Sequence, residues 1–204
     1  LLEKLGVHFV FAPAPEEMYS KEEMETAFEF DFNGLDEVME GKMRPGHFNG
    51  VVQVVSRLFD FIQPTRAYFG EKDFQQLAII RHMVERSSMA ERYTGLQIIG
   101  CPIVREQSGL AMSSRNERLS SQEKQTAIAI SQTLFSSVEW AKSATVEEVQ
   151  QRVIDTINAV QGLEVEYYNI VDKTTLKPTN TFHNAVGCVT VYCGPVRLID
   201  NIQY

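Results

Sequence analysis

Ala67-Tyr68-Phe69-Gly70-Glu71-Lys72-Asp73-Phe74-Gln75-Gln76 is the stretch on which the fold turns. Its first three residues read as a short buried strand that closes on Gly70. From Phe74 to Val84, the recurrence of Leu77, Ile80 and Val84 predicts a helix with those side chains facing inward. A polar loop from Arg86 to Thr94 leads to Leu96-Gln97-Ile98-Ile99-Gly100, a second strand whose direction Pro102-Ile103-Val104 continues. Strand, helix and strand of these lengths predict an α/β fold with a parallel, doubly wound sheet. Ligands of such sheets sit beyond the carboxyl ends of the strands. Chemistry is therefore expected in the loops after Gly70 and after Val104.

Upstream, Gly50 is followed by Val51, Val52, Val54, Val55, Leu58, Phe59 and Ile62, a broad apolar helical face that Gln63-Pro64 ends. Leu1, Leu2 and Leu5 before Gly6 read as one helical turn with a glycine stop, and Val7 to Phe11 as a strand broken by Pro13 and Pro15. A single turn does not stand alone, because nucleation is costly. The pair reads as the second half of a β-α-β unit, so protein upstream of Leu1 is expected. Beyond about Ser120 the texture changes. Helices are predicted near Ser121 to Lys142 and Thr145 to Val160, with Ser120 or Ser121 capping the first. After Gly162 come β-rich runs at Val165 to Val171, Gly187 to Tyr192 and Val196 to Ile199, the last two joined by Gly194-Pro195 as an antiparallel hairpin. Helices followed by strands predict a separate α+β domain, residues 117–204, against 1–116 for the parallel-sheet domain.

The 204 residues are 44% apolar and 23% charged, ordinary for a globular protein. No apolar run nears the ~18 residues of a membrane helix, and Leu1 to Gly6 has neither the basic head nor the apolar stretch of a secretory signal. Cys101, Cys188 and Cys193 match no zinc spacing and read as buried thiols in a reducing compartment. A formal charge of −8 disfavours nucleic acid, which needs a basic face. An anionic small substrate must then be held by local cations against the global field.

Three clusters offer such cations. In Gly70 to Gln76, a strand end and a helix start present free N–H groups. Lys72 brings a mobile ammonium, Asp73 suits ribose hydroxyls or a magnesium shell, and Gln76 lies one turn on. Equally, Glu71 and Asp73 read as carboxylates favouring a helix start, with Lys72 in solvent. In Val104-Arg105-Glu106-Gln107-Ser108-Gly109-Leu110-Ala111-Met112-Ser113-Ser114-Arg115-Asn116, two hydroxyls and a guanidinium suit phosphate oxygens in adenylyl transfer. A polar inter-domain linker with a helix cap reads there as well. In Arg44-Pro45-Gly46-His47-Phe48, a turn presents His47 before the long helix, although such a histidine alone is more often structural. Val54 and Val55 read as core, with a pocket wall as the alternative. His8, His82 and His183 lack partners at catalytic spacing, and Tyr19 carries no reading.

Taken together, Arg44-Pro45-Gly46-His47-Phe48, Gly70-Glu71-Lys72-Asp73 with Gln76, and Met112-Ser113-Ser114-Arg115-Asn116 resemble the pantoate–β-alanine ligase (pantothenate synthetase) family in order and separation. Phe11-Ala12-Pro13 with Met18-Tyr19, Tyr168-Asn169-Ile170-Val171-Asp172 and Arg197-Leu198-Ile199-Asp200-Asn201 fit as well, so the similarity covers essentially the whole chain. The resemblance implies an α/β, Rossmann-like nucleotidyltransferase parallel sheet, truncated at its N-terminus, and a smaller α+β C-terminal domain that closes as a lid. It implies a cytoplasmic homodimer using ATP with Mg2+, with no nucleic acid or membrane partner. Pantoate would attack the α-phosphate, and the amine of β-alanine would then displace AMP.

Carried residue by residue, it implies an ATP loop of Gly70, Glu71, Lys72 and Asp73, and adenine at the backbone of Val104. It implies a second ATP segment of Met112, Ser113, Ser114 and Arg115, equivalent to the KMSKS-type loop of class I tRNA synthetases. Catalytic roles fall to Lys72, Ser113, Ser114 and Arg115. Pantoate would meet Gln76 and an apolar wall of Val54, Val55 and Phe69. No residue is implied as a metal ligand. The family's H-x-G-H motif and an upstream pantoate-binding glutamine are absent from the sequence, so this chain is expected to be nearly inactive by itself. A related nucleotidyltransferase and a non-catalytic ligand-binding fragment are the other readings.

Overall fold

The computed structural model describes residues 1–26 and 28–204. Short helices α1 (Pro15–Met18), α2 (Lys21–Glu25) and α3 (Met39–Met43) lead to the long helix α4 (His47–Ile62). Strand β1 (Arg66–Gly70), helix α5 (Phe74–Glu85) and strand β2 (Gln97–Cys101) follow. Then come α6 (Ser121–Trp140), α7 (Val146–Asn158) and strands β3 (Leu163–Asp172), β4 (Ala185–Cys193) and β5 (Val196–Gln203). β1 and β2 pair in parallel, Arg66 opposite Gln97 and Gly70 opposite Cys101. The other three strands form an antiparallel sheet with β4 in the middle. Gly194, at φ 55°, makes the two-residue turn between β4 and β5.

Sequence periodicity explains which faces are buried. On α4, Phe48, Val52, Ser56 and Phe59 make one buried stripe. On α5, Leu77, Ile80 and Val84 face inward as predicted, joined by Ile79 and Met83. α6 begins with a reciprocal cap: Glu123 N–H donates to the Ser120 hydroxyl, and Ser120 N–H to the Glu123 carboxylate. Thr145 and Glu148 repeat the device on α7. One apolar core joins α6 and α7 to the antiparallel sheet through Leu134, Val149, Val153, Ile157 and Val191. A second joins α4 and α5 to the parallel strands and takes in Val171, Leu176 and Val186 from the antiparallel region. The two regions therefore share an apolar seam.

Some expectations fail. Val7 to Phe11 forms no strand; Phe9 is 92% exposed, and no ladder partner stands beside the segment among the described residues. Alternating apolar content cannot hold a strand without hydrogen-bonded neighbours. β1 is half-buried rather than buried, because Phe69 turns toward Phe59 at 6.3 Å while Tyr68 points outward. Cys188 and Cys193 are buried, but Cys101, ending a strand of a two-stranded sheet, is only partly so. The loop from Arg86 to Thr94 is not simply polar: its Tyr93 ring is buried at 5.7 Å from Phe59.

Candidate active site

Since β1 and β2 run the same way, their carboxyl ends lie side by side, Gly70 against Cys101. The chain leaves both strands on one edge, and this brings Glu71–Asp73 close to the loop that ends at Asn116. A cavity of about 210 Å³ lies between that edge and the antiparallel sheet. Lys72, Asp73, Gln76, Ser113, Ser114 and Arg115 line it, together with Arg44 and His47. Gly70, Glu71, Val54, Val55, Phe69, Val104 and Met112 do not.

Lys72 sits at the first loop. Burial lowers its pKa, a tendency that the carboxylates of Asp73 and Asp200 oppose. Neither Lys72 nor Arg115 makes an ion pair among the described residues. Asp73 precedes α5 without capping it through its side chain, so its carboxylate is not consumed by the helix start. Glu71 turns the other way, where its carboxylate accepts from Gln203 at 3.3 Å. Burial and the Arg44 guanidinium lower the pKa of His47, which favours its neutral form at pH 7.

The second loop is a built structure. Ser113 Oγ accepts the Arg115 N–H at 3.2 Å, and Arg115 Nη1 donates to the Arg197 carbonyl at 3.0 Å. Asn116 Nδ2 ties Glu106 at 3.1 Å to the Ala111 carbonyl at 3.0 Å. Val104 and Met112 lie outside the cavity, bonded to each other through backbone N–H and C=O at 2.9 Å. Val54 is exposed, whereas Val55 and Phe69 pack against the core beneath α4.

Several cavity residues have no counterpart in the candidate set. Glu40, on α3, accepts from Arg197 at 2.9 and 2.6 Å, from Tyr167 at 2.8 Å and from Thr190 at 3.1 Å. Burial alone would raise its pKa, but the hydrogen bonds from Arg197 and Tyr167 outweigh it and hold the carboxyl at about 2. Gln75 fixes the segment ahead of α3 by donating to the carbonyls of Leu35 at 2.7 Å and Val38 at 2.9 Å. Asp200 is gripped by Arg105 through two bonds of 2.6 and 2.9 Å. Two of the cavity's carboxylates are thus neutralised by their own arginines, and Lys72 with Arg115 leaves the space attractive to an anion. Among the described residues no group of three or more His, Cys, Asp or Glu is placed to hold a metal ion, and no helix is long and apolar enough to cross a membrane.

A family model described as pantoate-beta-alanine ligase matches residues 1–203. The chain is 57% identical to the pantothenate synthetase of Phocaeicola vulgatus and 55% identical to that of Bacteroides thetaiotaomicron, covering all of this chain and 71% of each relative. Among solved structures, pantothenate synthetase from Thermus thermophilus superposes with a TM-score of 0.89 at 38% identity, over 99% of this chain and 71% of that one. Pantoate-beta-alanine ligase from Francisella tularensis, complexed with β-γ ATP and β-alanine, superposes with a TM-score of 0.73 at 31% identity, over 99% of this chain and 67% of that one.

Proposed function

Because the chain belongs to the pantoate–β-alanine ligase family, we propose that its two cation-bearing loops hold the triphosphate of ATP beside the carboxylate of pantoate. The function is ATP-dependent ligation of pantoate to β-alanine. A pantoate carboxylate oxygen attacks the α-phosphorus, the bond to the bridging oxygen breaks, and pyrophosphate leaves. The β-alanine amine then adds to the acyl carbon of the adenylate. The acyl C–O bond breaks, so that AMP and a proton depart as the amide forms.

Lys72 follows the charge that gathers on pyrophosphate, and Arg115, Ser113 and Ser114 donate to phosphate oxygens from the opposite loop. Gln76 donates to pantoate and Asp73 approaches the ribose; Gly70, outside the cavity, is placed at the ribose by the family resemblance alone. The adenine contact at Val104, the place of Met112, and the pantoate wall of Val54, Val55 and Phe69 rest on the family resemblance alone. Magnesium is read as arriving on the triphosphate. With Glu40 and Asp200 occupied by arginines, Asp73 is the cavity carboxylate left for it, and a magnesium ion that keeps its waters needs no more. Residues 117–204 are read as the lid, and the assembly as a cytoplasmic homodimer, which sedimentation velocity checks.

The reading is carried by Lys72 and Arg115 lining one cavity without ion pairs among the described residues. Calorimetric titration with ATP tests it. Lys72→Ala and Arg115→Ala are each expected to weaken ATP by at least about ten-fold, the loss of one charge-assisted contact. ATP affinity indifferent to both substitutions would end the proposal.

A further inference from the structure

β5 reaches both cation-bearing loops of the cavity. Its Arg197 carbonyl takes the Arg115 guanidinium at 3.0 Å, and its Asp200 carboxylate holds Arg105 at the root of the same loop. Asn201, buried at 3% exposure, does something different. Its amide Nδ2 donates to the Glu71 carbonyl at 2.8 Å and to the Lys72 carbonyl at 3.0 Å. Those carbonyls belong to the two peptide groups on either side of the Lys72 Cα. One side-chain amide therefore fixes both planes from which the lysine projects. The Asn201 N–H is satisfied by Asp200 at 2.8 Å, which links the grip on Lys72 to the grip on Arg105.

The turn that carries Lys72 needs such a tie. Glu71–Asp73 is a single 3-10 turn with no side-chain cap. A turn of this length has little hydrogen bonding of its own to fix its orientation.

We propose that Asn201 is a positioning residue: by bonding both peptide groups that flank Lys72, it aims the ammonium at phosphates held from the other side by Arg115. Asn201 lines the cavity, but its amide Nδ2 is committed to the Glu71 and Lys72 carbonyls, and its effect passes through Lys72. The proposal rests on the triphosphate reading above.

The test uses the 204-residue chain, with ATP, inorganic pyrophosphate and AMP titrated calorimetrically into the unsubstituted protein, Asn201→Ala, Lys72→Ala and the double variant. Asn201→Asp, which keeps the shape and loses the donor, serves if the alanine variant does not fold. Asn201→Ala is expected to weaken ATP and pyrophosphate about ten-fold and to leave AMP unchanged. In the Lys72→Ala background the same substitution is expected to have no further effect, since a residue acting only through Lys72 is silent once Lys72 is gone. Equal weakening of AMP and ATP, or losses that add in the double variant, would show a tie that merely supports the fold and would overturn the proposal. Failure of the unsubstituted chain to bind ATP or pyrophosphate at all would strike the triphosphate reading, and the role of Asn201 with it.

Discussion

Glu40 shows how a single residue sets a pH limit on the molecule. Its carboxyl is held at about 2 against an ordinary value of 4.5, because Arg197 and Tyr167 donate to it. A pKa lowered on folding contributes stability that is fully present above the unfolded value and is lost as pH falls toward the folded one. The loss through Glu40 therefore falls between pH 4.5 and pH 2. Glu40→Gln removes that dependence, so urea midpoints measured down from about pH 5 are expected to decline less steeply in the variant than in the parent. Near neutrality the same substitution is expected to cost about 2 kcal/mol, below the ~3–5 kcal/mol of a fully buried pair, because Glu166 still pairs with Arg197. Parallel pH slopes for the two proteins would contradict this account. Lys72, Asp73 and Arg115, which line the cavity, were legible through the family resemblance, since spacing alone left a helix-start or linker reading equally open. Glu40 was not, since its partners Arg197 and Tyr167 lie 157 and 127 residues away and no local pattern announces them.

At the scale of elements, the long helices were legible from their apolar period, α4 and α5 without a side-chain cap and α6 and α7 with one. Ser120 with Glu123 and Thr145 with Glu148 are visible as spacings and present as hydrogen bonds. Ser120→Ala is expected to lower stability by about 1 kcal/mol, seen as a lower thermal midpoint with the native far-ultraviolet spectrum retained. Strands were harder, because a strand is defined by what lies beside it. The apolar run Val7 to Phe11 has the composition of β structure without the neighbours, and Tyr68 shows that a strand of apolar residues can present one face to water. Gly187 in β4 marks the opposite case. A Cβ there would press on the Tyr168 ring, whose hydroxyl bonds Tyr204 at 2.5 Å, which in turn reaches Ser137 at 2.8 Å. Gly187→Ala is expected to destabilise by about 1–3 kcal/mol, as overpacking does, and chemical denaturation should rank it below Ser120→Ala. A smaller loss than the cap variant would mean that the tyrosine moves aside freely.

Across the whole molecule, the two loops that meet at the cavity come from one feature of topology, the parallel pairing of β1 with β2. That pairing could be anticipated from the strand–helix–strand order, and convergence of Lys72 with Arg115 follows from it. The remaining face of the site, made by α3 and the antiparallel sheet, depends on how the two cores join, and the sequence carries no local trace of that docking.

The parallel pair has a further consequence for how the protein behaves at high concentration. β1 and β2 bond only to each other among the described residues, so each has one rim with no strand beside it there, and Tyr68, Phe61 and Ile62 are exposed. Such rims are templates on which another copy can add a strand. The charge of −8 keeps copies apart, and salt weakens that repulsion. Light scattering is thus expected to climb as sodium chloride is added, and a lysine at position 68, Tyr68→Lys, to keep the solution clear.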